Sequence, residues 1–121
     1  MATHNELGKA GEEIARQHLE EKGFRILEHG WRYRRAEVDL IALDGPILVF
    51  VEVKTRSSNR LGEPEYFVTA SKERLLTSAA HAYIEQINHQ DEIRFDLVSI
   101  LYRSAEDYEL RHLPDAFFPG L

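Results

Sequence analysis

The residue types best suited to chemistry fall on two neighbouring apolar segments. They are three carboxylates and one ammonium group, contributed by Glu37, Asp39, Glu52 and Lys54. The first two lie in AEVDLIAL (residues 36–43) and the others in ILVFVEVKT (residues 47–55), with Asp44-Gly45-Pro46 between the runs. Apolar, β-branched runs joined by such a turn are typical of a β-hairpin. The sequence therefore predicts that all four groups meet across one hairpin.

The register of this hairpin decides how the carboxylates face one another. If Leu43 and Ile47 are partners beside the turn, Asp39 lies adjacent to Glu52. A shift of one residue pairs Asp39 with Glu52 directly. In either register the two carboxylates lie close together in mid-sheet if the polar residues of the two strands share a face. Strict alternation along the first strand also predicts one face with Glu37, Asp39 and Ile41, and an opposite face with Val38, Leu40 and Ala42.

Such a cluster is costly unless something neutralises it. Two carboxylates about 5 Å apart repel by roughly 3 kcal/mol at an effective dielectric constant near 20, and unpaired charge in a buried strand is unfavourable. Lys54 neutralises one carboxylate, and a divalent cation would neutralise the rest, because Mg²⁺ is typically held by one or two carboxylates. The pattern predicts a site for a hard metal ion. For any single residue, an ordinary charge on a half-exposed strand is the alternative.

The rest of the chain supplies the elements that would position this hairpin. Apolar spacing predicts helices over 5–22, ending at Lys22-Gly23, and over about 70–88. Strands are predicted at 24–27, 92–102 and 107–113, a loop or a strand end at 31–35, and a loop at 55–65. The buried side of the second helix is predicted to contain Leu75, Leu76, Ala79, Ala80, Tyr83, Ile84 and Ile87. The order is α-β-β-β-α-β-β, an α/β fold with helices flanking a central sheet in a single domain over 1–121.

Composition excludes several classes of protein. The 121 residues contain no cysteine, which excludes disulfides, thiolate zinc sites and cysteine nucleophiles. The six histidines show no HxH or HExxH spacing, so no zinc site is expected. No apolar run reaches the ~18–20 residues of a membrane span. The first residues lack the basic and then apolar layout of a signal peptide. We expect a soluble cytoplasmic protein without a membrane partner.

The charge is unevenly distributed. The formal net charge is −6; residues 1–60 contain 10 Lys and Arg against 10 Asp and Glu, whereas residues 61–121 contain 5 against 11. This balance argues against a nonspecific DNA coat protein and confines any contact with a polyanion to one face. The candidates for phosphate contacts are Arg32, Arg34, Arg35, Arg56 and Arg60. An ordinary solvated loop is an equally good explanation of these arginines. Trp31 and Tyr33 are expected to fill the core rather than stack on a base.

At the hairpin the sequence resembles a known group of proteins. Glu37-Val38-Asp39-Leu40-Ile41, followed by Phe50-Val51-Glu52-Val53-Lys54-Thr55-Arg56, is similar to the PD-(D/E)XK nuclease motif of the restriction-endonuclease-like fold. More narrowly, it resembles the bacterial family of endonuclease-like proteins designated UPF0102 or YraN. The likeness spans nearly the whole chain and includes Gly8-x-x-Gly11-Glu12, Gly23-Phe24, Trp31-Arg32, Gly62, Lys72 and Arg94-Phe95-Asp96.

The resemblance implies a restriction-endonuclease-like core and a site for Mg²⁺ or Mn²⁺. The ligands that it implies are the carboxylates of Asp39 and Glu52, the carbonyl of Val53 and, from the first helix, Glu12. Lys54 would position or activate the attacking water and stabilise the pentacovalent phosphate. Glu37 would have a supporting part, in the second shell or at a second metal ion, and Lys72 would contact phosphate.

Three functions remain open at this stage. The leading hypothesis is a metal-dependent DNA endonuclease, with branched or repair-intermediate DNA among its substrates; resolvase-like relatives act as dimers, so a homodimer is an option. The runner-up is a catalytically silent nucleic-acid-binding or adaptor module on the same fold, which the acidic second half favours. A third is a structural domain that presents its acidic residues 85–121 to a basic partner, which leaves the clustered carboxylates without a purpose.

Overall fold

The structure of the protein is a computed structural model that describes residues 4–57 and 69–117. The elements are α1 (His4–Glu21), β1 (Arg25–Tyr33), β2 (Ala36–Asp44), β3 (Ile47–Arg56), α2 (Ala70–Ile87), β4 (Ile93–Ser104) and β5 (Asp107–Leu113). Their order is α-β-β-β-α-β-β, as predicted. Within these residues, neither helix has both the length and the apolar character needed to cross a membrane.

The five strands form one mixed sheet in the order β1-β2-β3-β4-β5. β3 and β4 are parallel, and the other neighbours are antiparallel. Parallel neighbours require a crossover connection, and here that connection contains α2. The helices pack on opposite faces, α1 chiefly over β3 and α2 over β2. The expected layout, a mixed central sheet flanked by helices, is confirmed.

Each helix covers its own apolar core. The α1-side core contains Ala15, Leu19, Phe24, Leu40, Ala42, Val49, Val51, Val98 and Ile100. The α2-side core contains Ala36, Val38, Ile41, Leu48, Phe50, Leu76, Ala79, Ala80, Tyr83, Phe95 and Phe117. The predicted burial of Leu75 and Ile87 is wrong, since they are 38% and 39% exposed. Leu75 lies beside the buried stripe formed by Leu76, Ala79, Ala80 and Tyr83, and Ile87 is the last residue of the helix.

The faces of β2 do not alternate as predicted. Val38 packs in the α2-side core, whereas Leu40 and Ala42 pack in the α1-side core. Side chains two apart in a regular strand share a face, so the alternation changes phase between Val38 and Leu40. The residue at the change is Asp39. The prediction that Val38 and Leu40 share a face is therefore wrong.

Two glycines determine how α1 lies on the sheet. Gly23 has a φ of +95°, and the N–H groups of Gly23 and Phe24 donate to the carbonyls of Glu20 and Leu19. This is the predicted glycine stop of the helix. Gly11 lies against β3, where an added Cβ would be only 1.8 Å from Oγ1 of Thr55. Only a residue without a side chain permits this approach.

Several predicted boundaries are wrong. β1 extends to Tyr33, past the predicted end at residue 27, and Trp31 pairs with Val38 of β2. Of the two predictions for residues 31–35, the strand end is confirmed for residues 31–33. An irregularity between Ile26 and Glu28 interrupts the period that would have indicated this strand. β3 continues to Arg56, past the predicted start of the next loop. Trp31 packs against the α2-side core, as predicted.

Candidate metal centre and nucleic-acid interface

Three carboxylates from two elements converge beside α1. Carboxylate oxygens of Glu12, Glu37 and Asp39 all lie within 4.8 Å of one another. Glu12 reaches this point because its neighbour Gly11 lets α1 approach β3 closely. Glu37 and Asp39 lie next to the phase change of β2, which separates them from the regular alternation of the strand. Glu37 is therefore a member of the cluster, together with the implied ligands Glu12 and Asp39, whereas the implied ligand Glu52 is not among these three.

The fourth carboxylate, Glu52, is 2% exposed. In the hairpin Leu40 pairs with Val51, so the next residues along the two strands, Asp39 and Glu52, face each other. This is the second of the two predicted registers, the one shifted by one residue. Oδ2 of Asp39 accepts a hydrogen bond of 2.7 Å from the N–H of Val53. Val53, whose carbonyl is an implied ligand, is therefore held beside the cluster by its backbone.

The two oxygens of Glu52 have different surroundings. Oε2 lies 3.1 Å from Nζ of Lys72, which is in the first turn of α2. Oε1 is buried and has no hydrogen-bond partner among the described residues. A buried carboxylate oxygen without a donor is costly. Together with the three clustered carboxylates, it makes a set of oxygen donors of the kind that Mg²⁺, Mn²⁺ and Ca²⁺ prefer.

Mutual repulsion is visible in the proton affinities of these groups. Burial, followed by the facing carboxylate of Glu52, raises the pKa of Asp39 far above its ordinary value. Burial and the carboxylates of Glu37 and Glu52 raise the pKa of Glu12. Burial alone would lower the pKa of Lys72, but the attraction of Glu52 outweighs it and the pKa of Lys72 is raised. Clustered groups with such shifts are typical of functional sites.

Lys54 and Glu12 line the same open cleft between α1 and β3. The cleft has a volume of about 430 Å³ and is also lined by Leu7, Gly8, Val53, Thr55 and Arg56. The hydroxyl of Thr55 is buried here without a hydrogen-bond partner among the described residues. The cleft therefore brings a carboxylate of the cluster, on α1, near the lysine of the motif and an arginine, both on β3.

Most of the predicted phosphate contacts lie at one end of the sheet. β2 begins where β3 ends, so Arg34 and Arg35, in the turn before β2, are at the same end of the sheet as Arg56. Arg32 pairs with Glu37 at 3.0 Å and is 74% exposed. The guanidinium of Arg34 lies over the Tyr33 ring, 5.2 Å from its centroid. Arg60 falls outside the described residues.

A second buried carboxylate, on the strand beside Glu52, is fully satisfied. Asp96 accepts two hydrogen bonds from Arg94, at 2.8 and 2.9 Å, and one of 2.8 Å from Nε2 of His112. The N–H of Asp115 donates a fourth, of 3.0 Å. This network ties β4, β5 and the following segment together.

Sequence reasoning missed the pairing of Lys72 with Glu52. A signal was present, because a lysine in the first turn of a helix is disfavoured by the helix dipole and needs a compensating contact. The contact itself could not be foreseen, since it depends on how the crossover places α2 against β3.

Comparison with known proteins gives a consistent result. The model of a family described as "Uncharacterised protein family UPF0102" matches residues 11–100. A UPF0102 protein of Flavobacterium johnsoniae is 47% identical over 122 residues, with 98% of each chain covered. Relatives of the same name are 43% identical in Flavobacterium psychrophilum, with 98% of each chain covered, and 39% identical in Bacteroides thetaiotaomicron, with 100% of this chain and 99% of the relative covered. These names state no activity.

Proposed function

Because the chain belongs to the UPF0102 family, which is described as uncharacterised, we propose its function from the geometry of the site. The proposed function is metal-dependent hydrolysis of phosphodiester bonds in DNA, with branched or repair-intermediate DNA as the substrate class. The observations that support it are the convergence of three carboxylates, those of Glu12, Glu37 and Asp39, and the buried, unpartnered oxygen of the neighbouring Glu52, beside a cleft that contains Lys54.

The residues fit a hard divalent cation. Asp39, Glu52 and Glu12 would hold it, with the carbonyl of Val53 and with Glu37 in support. When bound, such a cation withdraws charge from a phosphate and lowers the pKa of a water molecule that it holds. A cluster of this kind with only a structural role would be unfavourable. Two ionised carboxylates whose oxygens lie 4.8 Å apart repel by about 3.5 kcal/mol at an effective dielectric constant near 20.

The side chains of the cleft would carry out the remaining work. Lys54 supplies fixed positive potential where negative charge develops on the phosphate oxygens and orients the attacking water. The water oxygen forms a bond to phosphorus and releases a proton to solvent. The bond between phosphorus and O3′ breaks, and the departing oxygen takes up a proton. The products are a 5′-phosphate and a 3′-hydroxyl.

The basic end of the sheet would orient the nucleic acid. Arg34, Arg35 and Arg56 lie at this end of the sheet, and Arg56 also lines the cleft. Contacts with phosphates position a duplex without reading its sequence. The acidic second half of the chain would keep other faces away from the polyanion. Binding through a few arginines should weaken steeply as salt rises.

The test is cleavage of linear, nicked, flap and four-way DNA in Mg²⁺ or Mn²⁺. We expect Glu52→Gln and Lys54→Met to lose activity by about 100-fold or more, the usual size of losing one charge-stabilising group. Glu12→Gln should also lose activity. Glu13→Gln is the matched control, because Glu13 is the next residue on α1, is exposed, and pairs with Arg16 instead.

Three outcomes are informative. Cleavage lost in the Glu52 and Lys54 variants but retained in Glu13→Gln supports the proposal. Cleavage that persists unchanged in both of those variants shows a contaminating nuclease and counts against it. DNA binding without cleavage of any substrate overturns it in favour of the adaptor module.

A further inference from the structure

Two buried carboxylates on adjacent parallel strands are neutralised in opposite ways. Asp96 on β4 has both oxygens saturated by four donors, of which two come from one planar guanidinium. Glu52 on β3 faces the Asp39 carboxyl and pairs with the ammonium of Lys72, and one of its buried oxygens has no hydrogen-bond partner among the described residues. The first arrangement is a fixed structural pair. The second leaves half of the carboxylate open.

The ammonium of Lys72, which pairs with Glu52, is also able to move away from it. Lys72 is 38% exposed, so its ammonium lies between the buried carboxylate and solvent. The base of its side chain is held, because the N–H of Lys72 donates to Oγ1 of the helix cap Thr69 at 3.1 Å. A flexible four-carbon stem carries the charge. The ammonium can therefore change partner while α2 stays in place.

We propose that Lys72 is an exchangeable counter-ion of the metal centre, released from Glu52 when a divalent cation binds and then free to pair with a phosphate of the nucleic acid. This inference rests on the proposed function and adds to it a coupling between cation and DNA. A cation at the Asp39 and Glu52 carboxylates repels the nearby ammonium and takes over the neutralisation of Glu52. The released charge strengthens binding of a polyanion. By linkage, DNA strengthens cation binding by the same factor.

The first experiment uses the wild-type protein. The sequence contains only four lysines, at positions 9, 22, 54 and 72, so their rates of acetylation can be followed separately by mass spectrometry. Ca²⁺, which takes the same carboxylate oxygens, should raise the acetylation rate of Lys72 by about 5-fold or more, the usual lower size of a coupling between sites. Lys22, whose ammonium faces His112, is the internal control and should keep its rate.

The second experiment removes the ammonium. By calorimetric titration at pH 8, Lys72→Met should bind Ca²⁺ more tightly than the wild type, by a factor of about 5–150. Arg74→Met is the matched control, because Arg74 lies in the same helix and its guanidinium contacts Ser71. It should bind Ca²⁺ like the wild type. Lys72→Arg should stay close to the wild type as well, and guards against a variant that fails to fold.

The third experiment measures the DNA side of the coupling. The slope of log affinity against log salt should fall by about 1 in Lys72→Met when Ca²⁺ is present, as for one lost phosphate contact. Without Ca²⁺ the slope should equal that of the wild type. A loss of the same size with and without Ca²⁺ would show a permanent phosphate contact and overturn the exchange.

Failure of the inference and failure of the proposed function look different. If the wild type binds no divalent cation, both are wrong. If it binds Ca²⁺ in a manner that Asp39→Asn abolishes, yet the acetylation rate of Lys72 does not rise, only the exchange is wrong and Lys72 is a fixed structural partner of Glu52.

Discussion

Replacing Asp39 by asparagine should stabilise the protein, because the cluster forces this carboxylate to hold a proton. The pKa of Asp39 is raised in the folded chain, first by burial and then by Glu52. Folding therefore takes up a proton, so the contribution of Asp39 to stability is greatest below its unfolded pKa of about 3.9 and declines as pH rises toward the folded pKa. Asparagine removes this penalty.

The size of the effect has two bounds. Proton uptake at pH 7.5 by a group of ordinary pKa near 3.9 costs at most about 5 kcal/mol. One carboxylate pair at the 4.8 Å limit of the cluster repels by about 3.5 kcal/mol. The amide oxygen can still accept from the N–H of Val53, and its NH₂ can donate to the open oxygen of Glu52. We expect a gain of about 1–3 kcal/mol in unfolding free energy, within these bounds.

The assay is urea unfolding in EDTA at pH 7.5 and at pH 4. The stabilisation of Asp39→Asn should be present at pH 7.5 and mostly gone at pH 4, because about half of the unfolded wild-type chains already hold the Asp39 proton there and its uptake on folding costs little. Asp91→Asn, an exposed aspartate at the opposite end of the sheet, should change stability by less than about 0.5 kcal/mol. A destabilised Asp39→Asn, or a gain independent of pH, would refute the reasoning.

A bound divalent cation should make the wild type more stable than Asp39→Asn, the opposite of the order expected in EDTA. A ligand at 100 times its Kd stabilises a protein by about 2.7 kcal/mol, so Mg²⁺ at such a concentration should raise the melting temperature of the wild type. Asp39→Asn lacks an implied ligand and should gain far less. Equal stabilisation of both proteins by Mg²⁺ would show that the ion binds elsewhere.

Two further predictions concern the elements around the site. Gly11→Ala should lower stability by about 1–3 kcal/mol through its clash with Thr55, whereas Gly8→Ala, with nothing within 4 Å of the added methyl, should stabilise α1 by about 0.5–1 kcal/mol; thermal unfolding of both variants compares them, and equal effects would contradict the close approach. Burial alone would raise the pKa of Asp96, but His112 and Arg94 outweigh it and the pKa is lowered, so wild-type stability should decline as pH falls below about 4. Asp96→Asn should be about 3–5 kcal/mol less stable at pH 7 and lack that acid dependence; a variant as stable as the wild type in urea unfolding at pH 7 would contradict this.

The fold could be read from the sequence where apolar patterns are strong. The hairpin of β2 and β3 follows from two β-branched runs around a turn, and both helices follow from their apolar spacing. β1 was underestimated because an irregular pairing and polar-aromatic residues hide its period. Such a strand is stabilised by its neighbour in the sheet, and local sequence does not reveal that neighbour.

The membership of the site was easier to predict than its geometry. Asp39 and Glu52 could be placed together because one hairpin contains both. The phase change at Asp39 could not be predicted, since strict alternation is the only rule that a strand pattern offers. The contact of Lys72 with Glu52 depends on the packing of a helix that is distant in sequence, and so does the arrival of Glu12 beside Glu37.

The energetics of the cluster help to distinguish a nuclease from an adaptor. A module that only binds nucleic acid needs cations at its surface, and four converging carboxylates would repel the ligand as well as one another. Such a module would be more stable with Asp39 replaced by asparagine, and its DNA binding would not depend on a divalent cation. A nuclease needs the same carboxylates for its metal ion and accepts the lower stability, a trade that is common at catalytic sites. Asp39→Asn therefore tests function through the effect of Mg²⁺ on DNA binding: binding that is unchanged in the variant favours the adaptor, and loss of cation-dependent binding favours the nuclease.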